Sequence, residues 1–303
     1  MRVGEMEPRE LRERLAAYGV GLDFGAARAR VRSEAPGFDQ AFAAAYGQFD
    51  VSSPDGFFDV TVRLRRAVGA RRYLRPQIEL VADGGAVFAP FPADTHLPLL
   101  EWGINFLFAT RLGFHLLLHA GVVELDGRAV ILPAMPGSGK STLTAALCTR
   151  GFRLLSDEFG VVRFSDGKLL PLLRPIALKN ESIDVIADYA PRATVGPRFP
   201  KTRKGTVAHM APDARAIENR HVPATPALIM FPRYDPQVEC LVQPERRSLA
   251  FSRLSINSFN YQMLGAAAFD AVAGLSESCR AYQLVYSDLD LAIAAIREML
   301  AGS

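Results

Sequence analysis

The sequence contains few cysteines and little net charge. Its three cysteines, Cys148, Cys240 and Cys279, lie far apart. This excludes a disulfide-dense secreted domain and the paired cysteine spacing of a zinc site. The net charge of +3 over 303 residues is too small for a general electrostatic attraction to nucleic acid or to a membrane surface. We therefore expect no nucleic-acid partner.

Long uncharged apolar runs are also missing. The most apolar window, residues 104–123, contains Arg111, His115 and His119, whereas a spanning helix needs about 20 mostly apolar residues. We interpret this window as a buried helix followed by a strand. The first ten residues carry mixed charges and lack the apolar segment of a signal peptide. These features predict a cytoplasmic protein without a membrane span.

Residues 1–96 predict a small α+β accessory domain. A helical pattern covers 7–18, and apolar and polar residues alternate over 57–64, which is typical of a half-buried strand. Two further strand patterns, 77–81 and 86–88, flank a glycine-containing turn. No residue of this domain is predicted to be catalytic.

Residues 97–303 predict an α/β domain with a nucleotide-binding core. A helical pattern over 97–113 follows several prolines and marks the expected boundary. From His119 onward the order becomes strand, glycine-rich turn, helix, strand, which is typical of such cores. Later predicted elements are strands at 227–231 and 281–286 and helices at 258–273 and 289–300.

The strongest local signal is a P-loop pattern, in which an apolar strand leads through a glycine-rich turn into a helix over 140–148. Its predicted nucleotide-binding residues are Pro136, Gly137, Ser138, Gly139, Lys140, Ser141 and Thr142. Closely spaced glycines let backbone N–H groups converge on a phosphate, and the helix amino end adds a positive dipole. Lys140 would reach the β- and γ-phosphates, and the Ser141 hydroxyl would ligate Mg²⁺. A glycine-rich turn that only caps a helix would not require the Lys-Ser pair.

Two adjacent carboxylates follow the next predicted strand. Asp157 and Glu158 end the apolar run that comes after the P-loop helix. In open α/β sheets that end of a strand faces the ligand. One carboxylate could hold Mg²⁺ and the other could take a proton from an attacking hydroxyl. His119 lies just before the P-loop strand, although a single histidine beside apolar residues is more often part of a core.

These motifs together resemble the HPr kinase/phosphorylase family. The match runs from His119 to Val162 and comprises residues 119–122, 137–141, 150–151 and 156–158, in the family's order and at similar spacing. The resemblance implies the fold shared with phosphoenolpyruvate carboxykinases. It also implies Mg²⁺-dependent transfer of the γ-phosphate of ATP or GTP to a serine hydroxyl. Asp157 falls on the family's catalytic base, Glu158 on a second acidic residue and His119 on a functional histidine.

The sequence departs from the family in three respects. Glu158 replaces an aspartate, Ala134 replaces the first glycine of the P-loop, and the later signature for HPr docking and phosphorolysis is not recognisable. The chain therefore looks more similar to the HPr-kinase-related proteins of peptide or polysaccharide gene clusters, with another protein or peptide as the acceptor. Members of the family are often oligomers, so the resemblance allows a homo-oligomer.

A basic segment at 191–206 supplies further candidate residues. It carries five positive charges and no negative charge: Arg192, Arg198, Lys201, Arg203 and Lys204. Its glycine and prolines predict a loop without regular structure that closes over phosphates, with Arg203 and Lys204 stabilising the transferred charge. His209 is a further candidate behind them. A simple solvated loop is the competing interpretation. Lys179 follows a predicted strand and could also approach the metal.

Two other functions stay open on the sequence alone. A nucleotide-sensing scaffold would keep the phosphate cradle without turnover, but the retention of both Asp157 and Glu158 favours an enzyme. The predicted catalytic residues of the enzyme are Asp157, His119, Lys140, Arg203 and Lys204. A small-molecule kinase would use the same groups. In every case Ser141 and Glu158 are the predicted metal ligands.

Overall fold

The computed structural model describes residues 1–69, 74–133, 135 and 137–302. Within them the chain forms a mixed α/β structure with two mixed β-sheets and a small antiparallel sheet. Two residues of the expected phosphate cradle and its entrance, Pro136 and Ala134, lie outside the described residues.

The first sheet has six strands in the order β1-β2-β3-β4-β5, and β6 pairs with β4. In β3 the buried residues Val60, Val62 and Leu64 alternate with exposed ones, as a strand with one buried face requires. The predicted helix at 7–18 and the strands at 57–64 and 77–81 are present, with ends shifted by up to three residues. The elements are α1 (Pro8–Ala17), β1 (Val20–Asp23), β2 (Arg28–Ser33), α2 (Phe38–Tyr46), β3 (Val60–Arg66), β4 (Gln77–Ala82), β5 (Gly85–Ala86) and β6 (Phe91–Pro92).

Helix α3 (His96–Arg111) packs on the first sheet, against β3 and β4. A Cβ atom on Gly103 would lie 2.2 Å from Cδ2 of Leu80, so a larger residue here would require the buried Leu80 side chain to move. One buried apolar cluster contains residues from Val3 to Leu300. The accessory region and the rest of the chain therefore share a continuous core, and the boundary between residues 96 and 97 stays a prediction.

The second sheet has eight strands in the order β11-β10-β7-β8-β15-β17-β16, with β9 also pairing with β7. β8, β15 and β17 run parallel, and β7 and β16 flank them antiparallel. The strands are β7 (Leu116–Leu125), β8 (Arg128–Pro133), β9 (Arg153–Ser156), β10 (Phe159–Val162), β11 (Leu169–Leu170), β15 (Thr225–Tyr234), β16 (Cys240–Pro244) and β17 (Arg280–Tyr286).

The helices predicted at 140–148 and 289–300 are present, each one residue longer at its carboxyl end. The helix predicted at 258–273 is divided in two at Gly265, which has a φ of 57°. The apolar window 104–123 contains the end of α3 and most of β7, which confirms the predicted helix followed by a strand. No helix in the described ranges is both long and apolar enough to cross a membrane. The helices are α4 (Lys140–Thr149), α5 (Glu181–Tyr189), α6 (Ala214–Glu218), α7 (Arg247–Ile256), α8 (Tyr261–Leu264), α9 (Ala266–Ser278) and α10 (Leu289–Ala301).

The third sheet corrects the prediction for the basic segment. The strands β12 (Ile176–Lys179), β13 (Phe199–Thr202) and β14 (Gly205–Met210) form an antiparallel sheet in the order β12-β14-β13. Half of the segment expected to be a loop is thus a β-hairpin. Pro200 is compatible with it because β13 is an edge strand, where the missing N–H group costs no pairing.

Candidate active site

The glycine-rich turn lies between β8 and α4 and is fixed by two neighbouring strands. Gly137 and Gly139 have φ values of 87° and 85°, which side chains other than glycine rarely adopt. The Tyr286 hydroxyl at the end of β17 donates a hydrogen bond to the carbonyl oxygen of Gly139 at 3.0 Å. The backbone N–H of Tyr234, at the end of β15, donates to the carbonyl oxygen of Ser138 at 3.0 Å. These two hydrogen bonds, from the ends of β15 and β17, therefore fix the conformation of the turn.

The turn and the start of α4 have free hydrogen-bonding groups. The first N–H groups of a helix have no partner within the helix, and α4 begins at Lys140, followed by Ser141 and Thr142. The hydroxyl oxygen of Ser138 is buried and has no hydrogen-bond partner within the described part of the chain. A buried hydroxyl without a partner costs free energy unless a ligand satisfies it. This arrangement fits a bound phosphate.

Gly121 brings α4 against β7. A Cβ atom at this position would lie 2.4 Å from Oγ1 of Thr144, which in turn donates to the carbonyl oxygen of Lys140 at 2.8 Å. The resemblance placed residues 119–122 among its motifs, and the structure gives Gly121 a physical role. Without this close approach the amino end of α4 would be displaced from the strand that carries His119.

The two carboxylates lie at an interruption between two aligned strands. β9 and β10 both pair with β7, and Asp157 and Glu158 form the break between them. This position is at the end of β9, as predicted. The backbone bends here because the hydroxyl oxygen of Ser156 accepts a hydrogen bond from the N–H of Phe159 at 3.0 Å.

Lys140 and Asp157 meet inside this site. Nζ of Lys140 lies 3.2 Å from Oδ1 of Asp157 and also donates to the Asp157 backbone carbonyl oxygen. The two residues are 8% and 6% exposed. The predicted phosphate-binding lysine and the predicted base are thus in direct contact, although the two residues come from different secondary-structure elements.

His119 and Glu158 lie next to each other beside this pair, and Nδ1 of His119 is buried without a hydrogen-bond partner among the described residues. Nδ1 of His119 lies 3.5 Å from Oε1 of Glu158, and the imidazole packs edge-on against Phe259. Burial lowers the pKa of His119, and the charge of Glu158 only partly opposes this. Burial would raise the pKa of Glu158, but the positive charges of Lys140 and nearby basic groups outweigh it, and the pKa is lowered. At neutral pH we therefore expect a neutral imidazole beside an ionised carboxylate.

The opposite side of the site is formed by residues from distant parts of the chain. We call them the distal wall: Glu101, Trp102, Arg174, Lys179 and Lys204, which line a small cavity together with Asp157 and Glu158. Nζ of Lys204 lies 5.6 Å from the centre of the Trp102 ring. Burial and the nearby charge of Lys204 lower the pKa of Lys179. The structure therefore brings Lys204 to the carboxylates.

Arg203 points elsewhere. Its guanidinium lies over the ring of Phe91 at 4.8 Å, and its neighbour Lys201 pairs with Asp94 at 2.8 Å. The hairpin that carries these residues is thus held on the first sheet and α3. Of the two predicted loop cations, only Lys204 lines the cavity with the carboxylates.

A buried network supports the distal wall. Arg174 pairs with Glu101, with Nη2 to Oε2 at 2.6 Å and Nε to Oε2 at 3.2 Å, and Tyr46 donates its hydroxyl to the same carboxylate. His209 lies behind this pair, and burial lowers its pKa to about 4. The sequence analysis missed Glu101, Trp102 and Arg174, because no local pattern links residues so far apart in sequence.

The residues present fit a magnesium site completed by a ligand. No group of three or more histidine, cysteine or acidic side chains within the described residues could hold a metal by itself. Mg²⁺, however, is often held by one or two protein groups together with substrate phosphates. Ser141 at the start of α4 and the ionised Glu158 could supply these groups.

No protein-family model matches this chain, and no curated protein is similar enough to count as a relative.

Proposed function

We propose that this protein is a nucleotide-dependent P-loop kinase, related to the HPr kinase/phosphorylase family, that phosphorylates a serine hydroxyl of a protein or peptide. The observation that carries the proposal is the contact between Lys140, at the start of the P-loop helix, and Asp157. This contact supports the proposal because the lysine proposed to bind phosphate lies 3.2 Å from the carboxylate proposed as the base. The buried, unpaired hydroxyl of Ser138 supports a phosphate at the same place.

The proposed roles follow from this geometry. ATP or GTP would bind with its β- and γ-phosphates on the turn at Gly137–Gly139 and the amino end of α4. Lys140 would then turn from Asp157 to the phosphates, which frees the carboxylate. Bound Mg²⁺, held by Ser141 and Glu158, would neutralise phosphate charge.

In the transfer step, the acceptor oxygen forms a bond to the γ-phosphorus while the bond to the β–γ bridging oxygen breaks. The proton of the acceptor hydroxyl passes to Asp157. Lys204 and Lys179 would stabilise the negative charge that spreads over the γ-phosphate oxygens. His119 would help to position Glu158 by donating a hydrogen bond that this structure does not yet show, since Nδ1 lies 3.5 Å from Oε1 of Glu158 and has no partner among the described residues.

The test is to incubate the protein with γ-labelled ATP or GTP and a lysate of its source and to identify the labelled species. Lys140→Ala should abolish labelling while the circular dichroism spectrum stays that of a folded protein, although the variant leaves the buried carboxylate of Asp157 unpaired and should therefore unfold at a lower urea concentration. Lys168→Ala, in a turn away from the site, is the matched control and should label normally.

The outcome distinguishes the alternatives. A labelled protein or peptide supports the proposal, and a labelled metabolite would indicate a small-molecule kinase instead. Tight nucleotide binding without any labelled product would indicate the non-catalytic scaffold. Normal labelling by Lys140→Ala would show that the P-loop assignment is wrong.

A further inference from the structure

A large cavity lined by described residues lies away from the candidate active site. Its volume is about 760 Å³, which is in the range of small-molecule sites. It is bounded by α2, by the carboxyl end of α4 and by the two segments that follow α5 and β14. The ten residues of α4 separate it from the P-loop by about 15 Å, so it is distinct from the nucleotide site.

Small side chains create this space. Six alanines from three segments line it: Ala43, Ala44, Ala190, Ala193, Ala211 and Ala214. Leu154, Ile176 and Met210 add larger apolar surface. The cavity is therefore mainly apolar, and it is open because the alanine side chains are too short to fill it.

The cavity wall is held in place by backbone hydrogen bonds. The N–H of Ala211 donates to the carbonyl oxygen of Thr194 at 2.9 Å, and the N–H of Gly196 donates to that of His209 at 2.9 Å. The segment 193–196 also touches α2, since a Cβ atom on Gly196 would lie 3.7 Å from Cβ of Ala44. A preformed wall of this kind lowers the entropic cost of binding a ligand.

One positive charge at the cavity lacks a partner. Arg150 pairs with Asp290 at 3.2 Å and lies over the Tyr189 ring at 4.1 Å. Asp213 accepts a hydrogen bond from the N–H of Ala216 and caps α6. Arg192 is exposed, and no hydrogen bond or ion pair joins it to any other residue of the described chain. A ligand with a single negative charge would complement it.

We propose that this cavity binds a small apolar carboxylate, with its hydrocarbon part among the alanines and its carboxylate on Arg192. The two parts of the proposal have separate observations behind them, the alanine-lined volume and the unpaired guanidinium. Neither depends on the proposed kinase activity.

The experiment uses the full chain and the anionic fluorophore 1-anilinonaphthalene-8-sulfonate as the probe. We expect saturable binding and displacement by octanoate, with octanamide about three to five times weaker because an exposed ion pair contributes modestly. Arg192→Gln should remove the difference between octanoate and octanamide. Arg66→Gln, an exposed arginine on β3 in the first sheet, is the matched control and should leave it unchanged.

Filling the cavity tests its apolar part. Ala193→Trp should reduce probe binding at least tenfold, because the indole would occupy the space, while the near-ultraviolet circular dichroism remains that of a folded protein. Ala214→Phe, on another segment of the wall, should give the same loss and covers the case in which Ala193→Trp does not fold. Unchanged probe binding in either folded variant would overturn the proposal. Equal behaviour of Arg192→Gln and Arg66→Gln would overturn the role of the charge.

Discussion

The two sides of the candidate active site are built in different ways. The phosphate side, formed by Gly137–Thr142 with Asp157 and Glu158, comes from one strand-turn-helix-strand unit of the second sheet. The distal wall comes from α3, from β12 and the segment before it, and from the tip of the β13–β14 hairpin. The first is specified by neighbours in sequence, and the second is assembled by packing. We therefore expect changes at Asp157 and Glu158 to act mainly on chemistry, and changes at the buried Glu101–Arg174 pair to act mainly on stability.

The largest effect is expected on the phosphate side, at the proposed base. Asp157→Asn keeps the size of the side chain but removes the basic oxygen, so transfer should fall by about 10²–10⁴-fold while nucleotide binding remains. Single-turnover transfer and nucleotide titrations measure the two quantities separately. Glu158→Gln is the matched variant, and its defect should appear mainly at low Mg²⁺ and recover as Mg²⁺ is raised. Full transfer by Asp157→Asn would show that another group takes the proton.

The distal wall should respond through stability. Arg174→Met leaves the buried carboxylate of Glu101 without its cation, and breaking a buried pair in this way costs about 3–5 kcal/mol in the free energy of unfolding. Urea unfolding measures this loss. The double variant Glu101→Leu with Arg174→Met should recover much of it, because no buried charge is left unpaired. Arg163→Met, which breaks a surface pair, should change the stability far less. Equal losses for Arg174→Met and Arg163→Met would contradict the buried network.

Substitutions of Lys204 and Arg203 test whether the two adjacent cations of the hairpin have different roles. Lys204→Ala should lower kcat by up to about 10²-fold, with a smaller effect on nucleotide affinity, because Lys204 lines the same cavity as Asp157 and Glu158. Arg203→Ala should change kcat much less, since its guanidinium lies over Phe91. Steady-state kinetics on the identified acceptor decides between them. A larger loss for Arg203→Ala would mean that the hairpin rearranges when nucleotide binds.

The smallest effect concerns the pH dependence of stability. The pKa of His209 is about 4 in the folded protein, below the ordinary 6.5. The unfolded chain therefore takes up the proton first as the pH falls, so stability present above pH 6.5 is lost between about pH 6.5 and 4. From pH 7 to pH 5 this residue should account for a loss of about 2 kcal/mol.

His209→Leu tests this contribution. Urea unfolding at the two pH values should show a correspondingly smaller loss in the variant, because only the contribution of His209 has been removed. The same pH dependence in both proteins would show that His209 is protonated, or exposed to water, in the folded state.

Local signals predicted most of the phosphate side. The strand before the turn, the positions of Gly137 and Gly139 and the start of α4 at Lys140 all follow from residues within one short stretch. The basic segment at 191–206 was predicted less well. Its prolines indicated a loop, but pairing with β12 stabilises a hairpin that propensity alone does not favour. In the hairpin, Arg203 lies over Phe91 and Lys204 lies near Trp102, although the sequence pattern gave the two residues the same predicted role.

The geometry of the glycine-rich turn follows from the sequence alone, because positive φ values at closely spaced glycines and the start of a helix are local properties of the chain. Which residues form the distal wall depends on tertiary packing. Glu101 and Arg174 are 73 residues apart, and their pairing depends on α3 packing against both the first sheet and the segment before β12. The apolar and polar patterns that drive such packing specify which faces are buried. They do not specify which distant side chains will meet there.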